Sequence, residues 1–319
     1  MQTVENADIM GKKVADQLVE TICRAGIRHI YAVTGDSLNE VNDAVRRAGT
    51  VRWVHVRHEE SGAFAAAAES ELNGIACCAG SSGPGHVHLI NGLYDAHRSN
   101  CPVLAIASTC PSDQFGTGYF QETDPIRLFD DCSGYNQMAV TPAQFARMLP
   151  AALQHAIHRR EVAVVGLPGD VAASPCAESP GASGPLPSHG IYRPLDGELR
   201  QLAEMIGSAE RITVFCGIGA REAHDEVVRL AAMLKAPVAY TFKAKMEVQY
   251  DNPYEIGMTG LLGLPSAYGA MHESDLLLLL GTDFPYDCFC PRSAVSRRWT
   301  SVPSASAAAP GSNWGLPEM

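Results

Sequence analysis

Three short runs in this chain, Ile75 to Ala79, Val103 to Ala107 and Val162 to Leu167, are apolar on both faces. A strand with no polar face must be covered from both sides, and helices alternating with parallel strands do that. The intervening sequence has the required pattern. Val14 to Ala25, Leu38 to Arg47, Ala63 to Leu72, Leu89 to Arg98 and Ala143 to Arg159 read as helices, and Arg28 to Val33 and Val51 to Val56 as further strands. The fold class is therefore α/β with a parallel sheet, expected over residues 10–171.

The pattern stops at 172–194, where Pro175, Pro180, Pro185, Pro187 and Pro194 are interspersed with Gly and Ser, as in an interdomain linker. It resumes over 195–290. Leu199 to Ile206 and Asp225 to Leu234 are helical; Arg211 to Phe215, Pro237 to Thr241 and Ser274 to Leu280 are strands. Cys216-Gly-Ile-Gly219 closes the first of these strands and Gly281-Thr-Asp-Phe-Pro285 the last, at the carboxyl ends where ligands sit in such sheets. Gly217-Ile-Gly219 lacks the third glycine and the downstream acid of a dinucleotide fingerprint. From Pro291 to Met319 the chain is Ser/Ala/Pro-rich and fits neither period, so a disordered tail is expected and the second domain reads as unfinished. The abrupt change suggests a shifted reading frame.

Composition narrows the function classes. With 46% hydrophobic and 18% charged residues the chain can bury a substantial core. A net charge of −11 with no basic block argues against nucleic acid as a partner. No signal-peptide pattern is visible, and the longest apolar run, Leu276 to Leu280, is too short to cross a bilayer; a soluble, cytoplasmic protein is expected. The ten cysteines form no Cys-x-x-Cys pair and read as reduced, mostly buried thiols. His86 and His88 alternate without a third metal ligand nearby in sequence, so no metal site is expected.

One segment carries candidate chemistry. Val56-Arg-His-Glu-Glu60 runs into Ser61-Gly-Ala-Phe-Ala-Ala-Ala-Ala68, which places the carboxylate of Glu59 at the start of an Ala-rich helix. Such a group is short of water and suited to sharing a proton, although a helix-dipole role would require the same residue. Gly83-Pro-Gly85 reads by itself as a loop, whose glycines lack the Cβ that would block close approach.

These residues and several others in order resemble the thiamine-diphosphate-dependent decarboxylase and oxidase family, and within it the flavin-containing pyruvate oxidases. The matching segments include Val33-Thr-Gly-Asp-Ser-Leu-Asn39, Arg57-His-Glu-Glu60, Cys78-Ala-Gly-Ser-Ser-Gly-Pro-Gly85, His88-Leu-Ile-Asn-Gly-Leu-Tyr94 and Gly118-Tyr-Phe-Gln-Glu122. Further matches are Leu167-Pro-Gly-Asp170, Tyr250-Asp-Asn-Pro-Tyr254, Gly257-Met-Thr-Gly-Leu261 and Leu280-Gly-Thr-Asp-Phe-Pro-Tyr286. The resemblance implies a pyrimidine-binding domain over 10–171 and an incomplete, doubly wound FAD-type central domain over 195–290. It implies that Glu59 contacts a pyrimidine nitrogen of thiamine diphosphate and promotes loss of the thiazolium proton. Gly35, Gly83, Pro84, Gly85 and Gln121 would line that cofactor, and Phe120 and Gln121 would face the substrate. For FAD it points to Gly260, Leu261, Leu262 and Gly263 and to Asp283, Phe284, Pro285, Tyr286 and Asp287, with an adenine-side contact on a strand beyond residue 290.

The family's Mg²⁺ and diphosphate are held by a Gly-Asp-Gly motif, which does not occur in this sequence, so no metal ligands are assigned and the isolated chain is expected to be inactive. The reaction implied is oxidative decarboxylation of pyruvate to acetate and carbon dioxide with a quinone as acceptor. The alternatives are an acetolactate-synthase-like 2-oxo-acid enzyme and a non-catalytic remnant or partner of a full-length relative. A homo-oligomer or a complex with such a relative is the expected assembly, because in the family each site lies between subunits.

Overall fold

The computed structural model describes residues 11–177, 193–284, 286–289 and 295–299. The chain divides into two compact units between residues 190 and 191.

The first unit contains a six-stranded parallel sheet. Its strands are β1 (His29–Ala32), β2 (Arg52–His55), β3 (Ala76–Gly80), β4 (Val103–Thr109), β5 (Tyr135–Met138) and β6 (Val162–Pro168), in the order β2-β1-β3-β4-β6-β5. All five pairings are parallel. The helices between them are α1 (Val14–Arg24), α2 (Asn39–Ala48), α3 (Glu59–Asn73), α4 (Pro84–Val87), α5 (Ile90–Arg98), α6 (Pro125–Leu128), α7 (Pro142–Arg159) and α8 (Gly169–Ala173).

Burial follows the strand period of two. Leu104 and Ile106 of β4 pack with Leu18, Ile22, Phe145 and Leu149 on one side of the sheet, while Val103, Ala105 and Ala107 pack with Ala63, Ala66, Leu93 and Phe129 on the other. Small residues set the spacing of the second layer. A Cβ on Gly92 of α5 would lie 2.5 Å from the Cβ of Ala63, so α3 and α5 approach more closely than larger side chains would permit.

The strand order decides where a ligand can enter. From β1 the chain adds β2 on one side and then returns to place β3 on the other, so the carboxyl ends of β1 and β3 flank a topological switch point. Loops leaving adjacent strands in opposite directions open a crevice there.

The second unit is a five-stranded parallel sheet of β7 (Ile212–Cys216), β8 (Val238–Tyr240), β9 (Glu255–Met258), β10 (Leu276–Leu280) and β11 (Val295–Trp299), ordered β11-β10-β7-β8-β9. Its longer helices are α9 (Asp196–Ser208), α10 (His224–Leu234) and, after the single turn α11 (Lys245–Val248), α12 (Pro265–Glu273). The switch point here lies between β7 and β10. Gly217 and Gly219 meet Gly281 there: a Cβ on Gly217 would lie 2.3 Å from the Gly281 carbonyl oxygen, and one on Gly219 2.9 Å from Gly281 Cα. Close backbone packing is reason enough for that glycine pair.

Several elements depart from the sequence reading. Residues 174–176, read as linker, are tied to the first unit: Val14 N donates to Ser174 O and Cys176 N to Lys12 O. Strands β5 and β9 were not expected, because each is an edge strand with a partly polar sequence rather than a two-face apolar run. The largest correction is β11. Residues 295–299, read as part of a structureless tail, pair in parallel with β10 from Leu276↔Val295 to Leu280↔Trp299. An edge strand has one neighbour, so Val-Ser-Arg-Arg-Trp carries no buried-strand signature. The described part of the central sheet therefore continues past the point where the sequence pattern seemed to end. Residues 300–319 lie outside the described residues.

Candidate active site

The switch point of the first unit is built from loops that follow β1, β3, β4 and β6, tied together by serines. Ser82 N donates to Ser37 Oγ at 2.9 Å, and the Ser108 hydroxyl is 2.8 Å from Ser37 O and 3.1 Å from Leu167 O. Gly35 is pressed against this seam, since a Cβ there would lie 2.4 Å from the Cβ of Ser81.

Glu59 is the first residue of α3 and only 7% exposed. His88 Nδ1 lies 2.9 Å from Glu59 Oε2. A Cβ on Gly85 would lie 2.5 Å from Ser81 Oγ and 3.4 Å from Glu59 Oε1, so the turn after β3 packs against Ser81 and the carboxyl group as closely as only glycine allows. Gly83 has φ 65° and ψ −120°, the mirror image of the extended region, which glycine alone enters without strain. A Cβ at that position would also lie 2.7 Å from the Cβ of Gln121. Glu59, Gly35, Gly83, Pro84, Gly85 and Gln121, all chosen from sequence, are thus gathered at one crevice.

The loop bearing Phe120 and Gln121 is held from two sides. Ser82 Oγ donates to Gln121 Oε1 at 3.1 Å, which orients the amide. His86 is fully buried; its Nδ1 is 2.8 Å from Ser108 O and its Nε2 faces the hydroxyl of Thr123. Burial pushes the His86 imidazole below its usual pKa, so it is neutral, donating from Nδ1 and accepting from Thr123 at Nε2. The Glu122 carboxylate accepts from the backbone N–H groups of Gly116, Gly118 and Tyr119. Phe120, next to it, is 74% exposed.

The backbone donors, that of Gly116 foremost, hold the Glu122 carboxyl below the usual carboxylate range. A depressed folded-state pKa means the loop gains order from Glu122 above the unfolded pKa and loses it as pH falls through the folded one. Glu122→Ala is expected to raise amide exchange at Gly116, Gly118 and Tyr119 at neutral pH. The native chain should show the same loss of protection only in acid. Equal protection in both proteins at neutral pH would show that the carboxylate does not order the loop.

The second candidate group lies in the other unit. Gly263 N donates to Gly260 O at 2.9 Å, closing a turn that leaves Leu261 and Leu262 exposed. A Cβ on Gly260 would lie 3.5 Å from the Phe284 ring, so the two segments chosen from sequence are neighbours in space. Phe284 itself is 8% exposed and packs edge-on against Phe215 at 4.9 Å. Its ring is a core element, and only its backbone can meet a ligand. Asp283 and Tyr286 are exposed, Pro285 lies outside the described residues, and of Asp287 only the backbone is described.

Sequence reasoning did not assign His58, His88, Ser37, Ser82 or Thr123. His58 and His88 stack at 4.4 Å, and one nitrogen of each lies within 4.8 Å of a Glu59 oxygen and of the other. Residues 58 and 88 are far apart in the chain, so no spacing rule could find them. The cysteines follow expectation: the thiols of Cys77, Cys78 and Cys216 are buried and free. Burial raises Cys78 and Cys216 to about 12, which makes them unreactive. No described helix is long and apolar enough to cross a membrane.

Comparison with known proteins agrees with this architecture. Residues 12–128 match the thiamine pyrophosphate enzyme N-terminal TPP binding domain, and residues 199–295 match the central domain of the same enzymes. An uncharacterized 42.6 kDa protein of Pseudomonas amyloderamosa is 49% identical over 284 residues, 88% of this chain and 72% of its own length. The pyruvate oxidase of Lactiplantibacillus plantarum is 33% identical, over 82% of this chain and 44% of that enzyme. A chloroplastic acetolactate synthase of Arabidopsis thaliana is 30% identical, over 86% of this chain and 42% of the enzyme. The chain thus spans less than half the length of these two enzymes. With both domains matched in order, the chain belongs to the thiamine pyrophosphate enzyme family.

Proposed function

We propose that this chain provides the pyrimidine side of a thiamine-diphosphate site that decarboxylates pyruvate, releasing carbon dioxide and, with the uptake of one water, acetate, while FAD passes the two electrons to a quinone. The observation that carries the reading is Glu59, a nearly buried carboxyl packed beside the glycine turn Gly83–Gly85. A carboxyl so placed can hold or pass a proton at a ring nitrogen that approaches the turn. When bound, the cofactor supplies the carbon that adds to the keto group and the ring that holds the electron pair as carbon dioxide leaves. The protein supplies orientation: the Gly83–Gly85 backbone admits the ring, the Ser82 bond orients the Gln121 amide toward substrate, and Phe120 offers an apolar cover.

The turn Gly260–Gly263 and the segment that starts at Asp283 are the proposed FAD contacts, at the carboxyl ends of strands in the second sheet. Strand β11 supplies the element beyond residue 290 that the adenine-side contact requires. On this reading residues 10–171 are the pyrimidine domain and the central domain runs from 195 through β11. The diphosphate and Mg²⁺ side comes from protein outside these 319 residues. It belongs either to more of the same polypeptide or to a full-length relative.

An acetolactate-synthase-like activity is the second reading, since identities of 33% and 30% to the two enzymes do not separate them. The test is to supply pyruvate, thiamine diphosphate, FAD, Mg²⁺ and a quinone analogue to the chain, alone and co-expressed with a full-length relative. Acetate with quinone reduction supports the oxidase. Acetolactate replaces it with the synthase. No turnover in either preparation, and no co-purification, removes the catalytic and partner readings together.

A further inference from the structure

We propose that His58, Glu59 and His88 form a binding site for a divalent transition ion of the Zn²⁺ class. One ligand atom from each of the three residues lies within 4.8 Å of the others. Ligands about 2.0–2.2 Å from a tetrahedral ion stand roughly 3.3 Å apart. The His88 Nδ1 to Glu59 Oε2 distance of 2.9 Å is already close to such an edge. Only modest rotation of the imidazoles is then needed, and both side chains have room for it, being 47% and 43% exposed.

The donors come from two anchors. Glu59 is fixed as the first residue of α3, His58 is that helix's N-cap residue, and His88 follows α4. The carboxylate is nearly buried while the imidazoles face solvent, so an ion would have protein on one side and open positions for water on the other. His58 Nδ1 accepts from Glu60 N at 3.3 Å, and the Glu60 carboxylate, 3.7 Å from that nitrogen, accepts from Asn91. The bond from Glu60 N orients the His58 ring at the start of α3. Two imidazole nitrogens with one carboxylate oxygen select Zn²⁺, Co²⁺ or Ni²⁺ over Mg²⁺, which prefers oxygen donors and its own waters. The site therefore differs in kind from the all-oxygen Mg²⁺ site of the family. If the proposed function holds, ion and cofactor draw on one carboxylate and exclude each other.

The experiment titrates Co²⁺ alone into the purified chain, produced without a histidine tag, and follows the visible ligand-field bands. Strong bands of a low-coordinate ion are expected to saturate at about one equivalent and to vanish when Zn²⁺ is added. His58→Ala and His88→Ala should each weaken Co²⁺ binding by at least ~10-fold. His155→Ala, at the separate His155–Glu161 pair, should leave the bands intact. Far-UV circular dichroism melts verify that each variant is folded; both target imidazoles are half-exposed, so the fold should survive. Absence of the bands, or their persistence in both the His58 and His88 variants, overturns the proposal. Neither thiamine nor pyruvate enters this experiment, so its outcome is independent of the enzymatic reading.

Discussion

On the proposed function, Glu59→Gln is expected to lower thiamine-dependent turnover of pyruvate by about 10²–10⁴-fold in the assembly that supplies the diphosphate side, the range lost when a positioned acid or base is removed. Glutamine has the same shape and can still hydrogen-bond a ring nitrogen, but it cannot hold and release a proton. The variant therefore separates proton transfer from packing. Glu59 is nearly buried and partnered by His88, so the amide substitution should leave the fold in place. Steady-state kinetics with a thermal melt on the same sample measure both quantities. If turnover falls by less than a factor of about ten, Glu59 is a helix-start residue that meets the dipole, and the proton must move elsewhere.

Gly83→Ala is the largest expected stability loss. Forcing a side chain into the mirror-extended region costs about 1–3 kcal/mol. Its Cβ would in addition sit 2.7 Å from the Cβ of Gln121 and 3.1 Å from that residue's backbone, which themselves must shift. Overpacking of that kind adds about 1–3 kcal/mol, for a total of about 2–6 kcal/mol if the two effects add. Gly26→Ala is the control, because Gly26 has φ 96° but nothing within 4 Å of its built Cβ. The difference between the two urea midpoints reads the contact with Gln121. Equal losses would mean that the turn after β3 does not brace the Gln121 loop, and the proposed coupling between ring site and substrate loop would fail.

Much of the first unit was legible in advance because buried parallel strands announce themselves. Val103 to Ala107 and Val162 to Leu167 have no polar face, and every residue of β4 and β6 is buried. The helices were legible for the same reason: Leu18, Ile22, Leu149 and Leu153 recur at helical spacing and lie in one core. Three of the four edge strands escaped notice; β2 alone was read. Tyr135–Met138, Glu255–Met258 and Val295–Trp299 each sit at the margin of a sheet, where no two-face apolar pattern is required. The error at β11 had a consequence, since it made the central sheet look as if it stopped at β10.

Apart from Glu59, the candidate site was legible mainly in its backbone-determined parts. Gly83 and Gly85 are glycines because of a backbone conformation and a close approach, and both leave a trace in a single sequence. Phe284 read as a cofactor contact because of its neighbours in the chain, whereas packing with Phe215 puts its ring in the core. His88 beside Glu59, and His58 stacked on His88, are decided by how α3 and α4 face each other across the crevice.

By itself, then, the sequence determined the fold class, the division into two α/β units and the family, and it offered Glu59 as the candidate residue. These depend on local periodicity, glycine placement and motif order, all of which are written along one dimension. Tertiary structure alone decided the strand order with its two switch points and the pairing of β11. It also decided the joining of Glu59 to two histidines from different segments. Those outcomes depend on which loops leave adjacent strand ends in space, and residues such as 58 and 88 become neighbours only after the sheet between them has formed.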